Sequence, residues 1–341
     1  MRILLSSHRY HPDLGGIETV SRLLAREFVR AGHEVAVITG TGSGREDDAG
    51  SAIERTPSAW RLVRRVRWCQ VCFHSNISLR AAWPLALIRR PWVVTSHIWL
   101  RGGNGSEGSS ERLKRWALKR AANVFISQAM AAHVGLPGTI IRNPYDSEVF
   151  RLIPGDPRDR QLVFVGRLVS DKGVDVLLRA LALLDAAGLR PTLSIVGEGP
   201  EEADLRTLAG ELNLATQVEF LGPKQGEALA RLLNRHQVLV VPSRWNEPFG
   251  LVALEGIACG CAVVGSAGGG LPEAMGPCGL TFPNGSVEAL AGVLHELLSD
   301  RGDKRAGLLR PAPSHLRQHA PPIVAKSYLE LFARTAGHAT T

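Results

Sequence analysis

The residues best suited to chemistry in this 341-residue chain lie in the stretch VVPSRWNEPFGLVALE, from Val240 to Glu255. The pattern predicts a buried strand ending at Pro242-Ser243, a short loop presenting Glu247, and a helix from near Gly250 with Glu255 in its second turn. The backbone N–H groups of Phe249, Gly250, Leu251 and Val252 would then lack intrahelical partners and sit at the positive end of the helix dipole. That is a site for an anion or for sugar hydroxyls. Glu247, at the mouth, could accept hydrogen bonds from hydroxyl groups. Glu255, deeper, could hold a ribose diol, because one carboxylate accepts from two hydroxyls. The plainer alternative is an acidic first turn, with Glu247 near the cap and Glu255 solvated.

Cations stand earlier in the chain. Arg167 and Lys172 flank a strand-to-helix turn marked by Gly166 and Gly173, so two positive side chains and permissive backbone converge where a diphosphate would lie. Taken alone, they also read as surface charges. Gly197, Glu198 and Gly199 form a tight turn open to a nucleotide, a weak signal shared with dinucleotide-binding folds. Gly15 and Gly16 separate a strand from a helix and make a second mouth lined by N–H groups. His97 ends an apolar strand, a place where satisfied structural histidines are also found, and Asn143-Pro144 close the last strand of the first half. Cys69-Gln-Val-Cys72 lies where the chain alternates towards a buried strand and lacks the second ligand pair that a zinc site wants. An Asp-x-Asp triple, a Gly-x-Gly-x-x-Gly after the first strand and a P-loop are all absent from the sequence.

Positioning these residues falls to alternating strands and helices. Strands are expected at residues 2–6, 34–39, 71–74, 92–97, 124–127 and 139–142, with a helix at 18–30 and a loop over 40–58. After Pro154-Gly-Asp-Pro157 the pattern restarts, with strands at 162–165, 192–196, 218–221, 238–241 and 262–264. Helices fit 173–187, 201–212, 227–234, 250–258 and 287–298. Such alternation predicts α/β parallel sheets covered on both faces. Two doubly wound Rossmann-like domains are expected, 1–150 and 151–310, facing across a cleft. A Pro-rich linker and terminal helix over 311–341 would be free to cross back to the first domain. Ligands of such sheets bind beyond the carboxyl ends of the strands.

Composition narrows the class. With 45% hydrophobic, 21% charged and 6% aromatic residues the chain is globular, not disordered or low in complexity. The longest apolar run, 81–88, contains Pro84 and falls short of the roughly 18–20 residues that span a bilayer. Only Ile3-Leu4-Leu5 follow Arg2, so no signal-peptide core is present, and five cysteines suit a reducing compartment. A cytoplasmic protein is expected. The net charge of +8 is uneven: residues 1–150 hold 21 Lys and Arg against 12 Asp and Glu, the remainder 19 against 20. Six of the seven tryptophans share the basic half.

The Glu-x7-Glu of Glu247 and Glu255, within PSRWNEPFGLVALEGIACGCAVVGSAGGGLPE, resembles the signature of the retaining glycosyltransferases of family 4 (glycosyl transferases group 1), which have the GT-B fold. HPDLGGIETV at 11–20 is similar to that family's Gly-Gly acceptor-side loop, and VVTSH at 93–97 to the strand whose terminal His faces the sugar. FVGRLVSDKGVDVLLRAL from 164 resembles the segment whose Arg and Lys hold the donor diphosphate, and SIVGEGPE from 194 the next phosphate and base loop. The likeness runs through essentially the whole chain. It departs at residues 40–70, which are abbreviated, and at Asn143-Pro144, where the family has Asn-Gly.

The resemblance implies a hexosyltransferase of cell-envelope or exopolysaccharide assembly, using a UDP- or GDP-linked sugar and a sugar or lipid-linked acceptor, with retention of configuration. Glu247, Arg167, Lys172 and His97 would be catalytic. Glu255, the backbone of Phe249, Gly250, Leu251 and Val252, and the turn Gly197, Glu198 and Gly199 would hold the donor, while Gly15 and Gly16 face the acceptor. No metal or other cofactor is expected to be required, since fixed Arg and Lys stand where transferases with Asp-x-Asp place a divalent ion on the diphosphate. Same-face attack is the expected course, a departing phosphate oxygen taking the acceptor proton. Competing readings are a GT-B epimerase or phosphorylase and, from the basic half, a nucleic-acid-binding protein, although no nucleic-acid fold is recognisable and no nucleic-acid partner is expected. The clusters at Arg61, Arg64, Arg65 and Arg67, at Arg89 and Arg90, and at 112–120 predict either peripheral docking on anionic lipid or solvated helix faces over core tryptophans.

Overall fold

The computed structural model describes residues 1–13, 15–42, 50–100, 109–155, 157–300 and 302–338. It divides into two compact units, Met1–Tyr145 with His319–Thr341, and Asp146–Gln318.

In the first unit seven parallel strands are β1 (Arg2–Ser7), β2 (Glu34–Thr39), β3 (Ala52–Arg55), β4 (Val71–His74), β5 (Trp92–Ser96), β6 (Ala122–Phe125) and β7 (Gly138–Ile140). They pair in the order β3-β2-β1-β4-β5-β6-β7. Helices α1 (Gly16–Arg30), α2 (Ala59–Trp68), α3 (Leu79–Ala82), α4 (Ser109–Leu118) and α5 (Gln128–Val134) connect them. Fully buried runs in β1, β2, β4 and β5 reflect helices on both faces. β3 departs from the expected loop over 40–58, of which residues 43–49 lie outside the described residues. This edge strand is half-exposed and carries Glu54 and Arg55, so its pattern is too weak to stand out in sequence; pairing with β2 defines it.

The second unit has six parallel strands, β8 (Arg160–Val165), β9 (Leu193–Val196), β10 (Val218–Phe220), β11 (His236–Val241), β12 (Ala262–Ser266) and β13 (Gly279–Phe282), in the order β10-β9-β8-β11-β12-β13. Helices α6 (Val174–Ala186), α7 (Glu202–Glu211), α8 (Gly226–Asn234), α9 (Leu251–Ala258), α10 (Leu271–Met275), α11 (Val287–Ser299), α12 (Asp303–Leu309) and α13 (Ala312–Gln318) follow. β13 is one strand more than the sequence pattern predicts. The core joins Leu177 and Leu181 of α6, Leu205 of α7 and Leu294 of α11 to Phe164 and Val240. Where a linker was expected from Pro311, the chain is helical: α13 packs on α9, with the His315 ring 2.8 Å from the Ala274 carbonyl.

The chain re-enters the first unit at His319, whose ring Nδ1 lies 2.9 Å from the Asn143 carbonyl and whose own carbonyl accepts from Tyr145 N–H at 3.3 Å. Asn143 and Tyr145, on either side of Pro144, therefore seat the returning chain. Helix α14 (Pro321–His338) then packs on α1 and β5. Its Phe332 meets Phe28 and Phe73 at ring separations of 5.4 Å, and the Tyr328 hydroxyl lies 3.0 Å from Thr95 Oγ1. Aromatic edges at this spacing add to a large apolar burial. Phe332→Ala is expected to destabilise the first unit by about 3–5 kcal/mol, read as a lowered midpoint in thermal and urea unfolding.

Candidate active site

Both sheets reverse strand order at one point, between β1 and β4 and between β8 and β11. Crevices at the carboxyl ends of such strands are where open α/β sheets bind ligands. In the second unit the loops leaving β8 and β11 are joined there by backbone. Arg244 N–H donates to the Asp171 carbonyl at 2.9 Å, and Gly173, in the left-handed conformation, passes so close that a Cβ would stand 2.1 Å from the Pro242 carbonyl oxygen. The guanidinium of Arg244 reinforces the junction through the Asp175 carboxylate.

This junction brings two of the sequence-predicted residues into contact. Lys172 Nζ donates to Glu247 Oε1 at 2.6 Å, and Ser243 Oγ donates to the same oxygen at 2.5 Å. Glu247 is only 6% exposed, and its Oε2 carries no hydrogen bond among the described residues. A buried carboxylate is tolerated when its charge is paired, and the pairing leaves one oxygen for a hydroxyl donor. Arg167 is exposed beyond β8, with no side-chain partner among the described residues. Its guanidinium is therefore unpaired there, while Lys172 keeps two of its three N–H donors.

The loop after β12 closes the other side. Gly270 N–H donates to the Glu247 carbonyl at 2.7 Å, Gly269 leaves no room for a Cβ (2.1 Å from that oxygen), and Asn284 ties Gly268 and Trp245 together. Sequence reasoning missed Ser243, Asn284 and this Gly268–Gly270 run as parts of the site; the triple glycine was the available signal.

The remaining donor-side expectations divide. Gly250 is left-handed and caps α9, so the N–H groups of Leu251 and Val252 head a helix as predicted. The side chain of Phe249 is buried in the core, which leaves only its backbone to face a ligand. Gly197 and Gly199 are required by the protein itself: their Cβ atoms would stand 1.8 and 2.2 Å from the carbonyl oxygens of Gly166 and Leu168. Glu198 is exposed, and its carbonyl accepts from Leu168 N–H at 2.9 Å. Glu255 shares neither of Glu247's hydrogen-bond partners among the described residues. It is half-buried, its carboxyl accepts no hydrogen bond among the described residues, and burial together with the Asp146 carboxylate raises it to about 7.

In the first unit His97 lies just past β5, almost fully buried. Burial holds its imidazole at about 4, so it is neutral near pH 7 and acts as a hydrogen-bonding group. Its Nε2 lies 3.5 Å from Ser75 Oγ, which pairs at 2.6 Å with Ser21 Oγ, itself 3.3 Å from Ser7 Oγ. That serine chain spans the β1–β4 reversal and was not foreseen. Gly15 and Gly16 are exposed at the start of α1, with open space beside Gly16. Cys69 and Cys72 are free and buried.

The sequence matches the family described as Glycosyl transferases group 1 over residues 149–312 and Glycosyltransferase Family 4 over residues 14–148. It is 31% identical over 305 residues to the D-inositol 3-phosphate glycosyltransferase of Corynebacterium jeikeium, covering 78% of this chain and 72% of that protein. The enzyme of that name from Mycobacterium ulcerans is 33% identical over 230 residues, 62% of this chain; the match spans about half, 49%, of that relative. Among solved structures, Anabaena Alr3699/HepE in complex with UDP superposes with a TM-score of 0.83 at 20% identity, covering 98% of this chain and 100% of the other. Its complex with UDP-glucose gives 0.80 at 19%, with the same coverage. The chain belongs to the family 4, group 1 glycosyltransferases, with the two parallel-sheet Rossmann-like domains of the GT-B fold.

Glu255 titrates near 4.5 when unfolded and near 7 when folded, so the folded state binds the extra proton between those values. Stability is therefore expected to fall as pH rises through that window. Glu255→Gln should flatten the fall, as measured by melting temperature across the same range.

Proposed function

We propose that the protein transfers a hexose from a UDP- or GDP-linked sugar to a sugar or lipid-linked acceptor, with retention of configuration, in cell-envelope or exopolysaccharide assembly at the cytoplasmic face of a membrane. The observation that carries this reading is the Lys172–Glu247–Ser243 contact between the loops leaving β8 and β11, the strands at the order reversal of the second unit, with Arg167 exposed at the start of the first of those loops. The UDP and UDP-glucose complexes of the Anabaena protein of like fold support the choice of donor class.

In this reading Glu247 Oε2 accepts from a hydroxyl of the transferred sugar and fixes its orientation. Arg167 and the two free N–H donors of Lys172 hold the diphosphate, and the first N–H groups of α9 add dipolar support. Charge develops on the diphosphate as the glycosidic bond breaks, so donors preset against it lower the barrier. The departing phosphate oxygen takes the proton of the attacking hydroxyl on the same face, which yields retention without a carboxylate nucleophile. These fixed cations supply the neutralisation that a divalent ion gives elsewhere, so turnover is expected without added metal. The Glu255 carboxylate takes the ribose diol in its ionised form. Neutral His97 donates to the sugar or shapes the acceptor pocket, and the exposed start of α1 at Gly15 and Gly16 meets the acceptor.

Release of nucleoside diphosphate from a panel of UDP- and GDP-sugars, in the presence of chelator, tests the reading. Arg167→Ala is expected to depress turnover about a hundredfold or more, the scale of losing one preset donor to developing charge. Near-normal rates in that variant, or no response to any donor, would overturn the assignment.

A further inference from the structure

We propose that one helical face of the first unit is a docking surface for an anionic lipid bilayer. Helices α2, α3, α4 and α5 lie on one side of the sheet, because Leu62, Ala82, Ala117 and Met130 share a single core cluster with it. Segments distant in sequence are thereby collected into one outer layer. Arg90 fastens part of it, donating to the carbonyls of Val66 at 3.2 Å and Arg67 at 2.5 Å at the end of α2.

The charge of this layer is one-sided. Among described residues 59–100 and 109–138, twelve Lys and Arg stand against a single carboxylate, Glu111, which is buried. Glu54 of β3 answers Arg64 and Arg65. Arg61, Arg67 and Arg89 are exposed and have no charge partner among the described residues. The charge that complements this layer is negative.

Bulky apolar side chains distinguish a bilayer from other polyanions. Trp60 is 68% and Leu87 79% exposed, and Trp83, Leu113 and Trp116 are exposed as well. Of the two alternatives the sequence leaves for these tryptophans, the core placement does not hold for Trp60 and Trp116: α4 turns Glu111, Ala117 and Leu118 inward and leaves Leu113 and Trp116 outside. Aliphatic leucine offers nothing to a phosphate or a base, whereas the acyl boundary of a bilayer takes it favourably. Arg64 lies 5.1 Å from the Trp60 ring centroid and Arg120 3.5 Å from that of Trp116. Indole at the boundary with guanidinium at headgroup level is the arrangement that interfacial helices use. No helix among the described residues is long and apolar enough to cross a membrane, and the contact proposed is one on the bilayer surface.

This surface deepens the membrane-side location proposed above and can fail while the transferase reading stands, since its test uses no sugar nucleotide. The full chain is sedimented with vesicles of phosphatidylcholine alone and of phosphatidylcholine mixed with phosphatidylglycerol. Retention on the anionic vesicles only, weakened by salt, with a blue shift of tryptophan emission, is expected. Arg61→Ser and Arg67→Ser should each lower partitioning about fivefold. Trp60→Ser with Leu87→Ser should lower it further and reduce the blue shift, with melting temperature and circular dichroism unchanged. Equal retention on both vesicles, no retention, retention undiminished in the variants, or binding to nucleic acid without any to vesicles would overturn the proposal.

Discussion

Close approach of backbone to backbone at the strand-order reversal of the second unit governs everything built there. Gly173 against Pro242, Gly197 against Gly166 and Gly269 against Glu247 each leave a carbonyl oxygen within 2.1 Å of where a Cβ would be. No other residue fits such gaps, and Gly173, Gly197 and Gly269 also hold positive φ angles. The loops after β8, β9, β11 and β12 can therefore lie side by side. Only in that packing does the Lys172 ammonium meet the Glu247 carboxylate, 75 residues later in the chain.

The two carboxylates of the Glu-x7-Glu signature are placed in different surroundings by the same local geometry. Glu247 sits in a loop between glycine turns and is buried against Lys172 and Ser243. Glu255 sits a turn into α9, where the Asp146 carboxylate is near and no donor reaches it among the described residues. Pairing favours the charged form of a carboxylate, whereas burial without a donor disfavours it, so the two groups differ in protonation as well as in position.

Much of this was legible from residue order. Apolar runs and periodic helices locate β1, β2, β4, β8 and α6 closely, because buried elements must be apolar on every inward position. Two of the four edge strands escaped: β3 and β13 are short and half-exposed, so sheet pairing and not composition defines them. Proline at 311 and 313 reads as a break, yet α13 forms, since proline is tolerated in a helix's first turn. Ser243 and Asn284 carry no signal in sequence because serine and asparagine are common in loops for many reasons. The glycines of the Gly197–Gly199 turn were visible, but their reason was not, for the neighbour they accommodate is a distant piece of the same chain.

By itself the sequence determined the α/β class, the family, the signature carboxylates and cations, and the concentration of positive charge in one half. These follow from residue type and local period, which need no knowledge of distant contacts. Tertiary structure decided that Lys172 is paired with Glu247 while Arg167 remains open, and that His97 is buried enough to be neutral. It also decided which tryptophans face outward. Burial and pairing depend on what packs against a side chain, and those neighbours come from elsewhere in the chain.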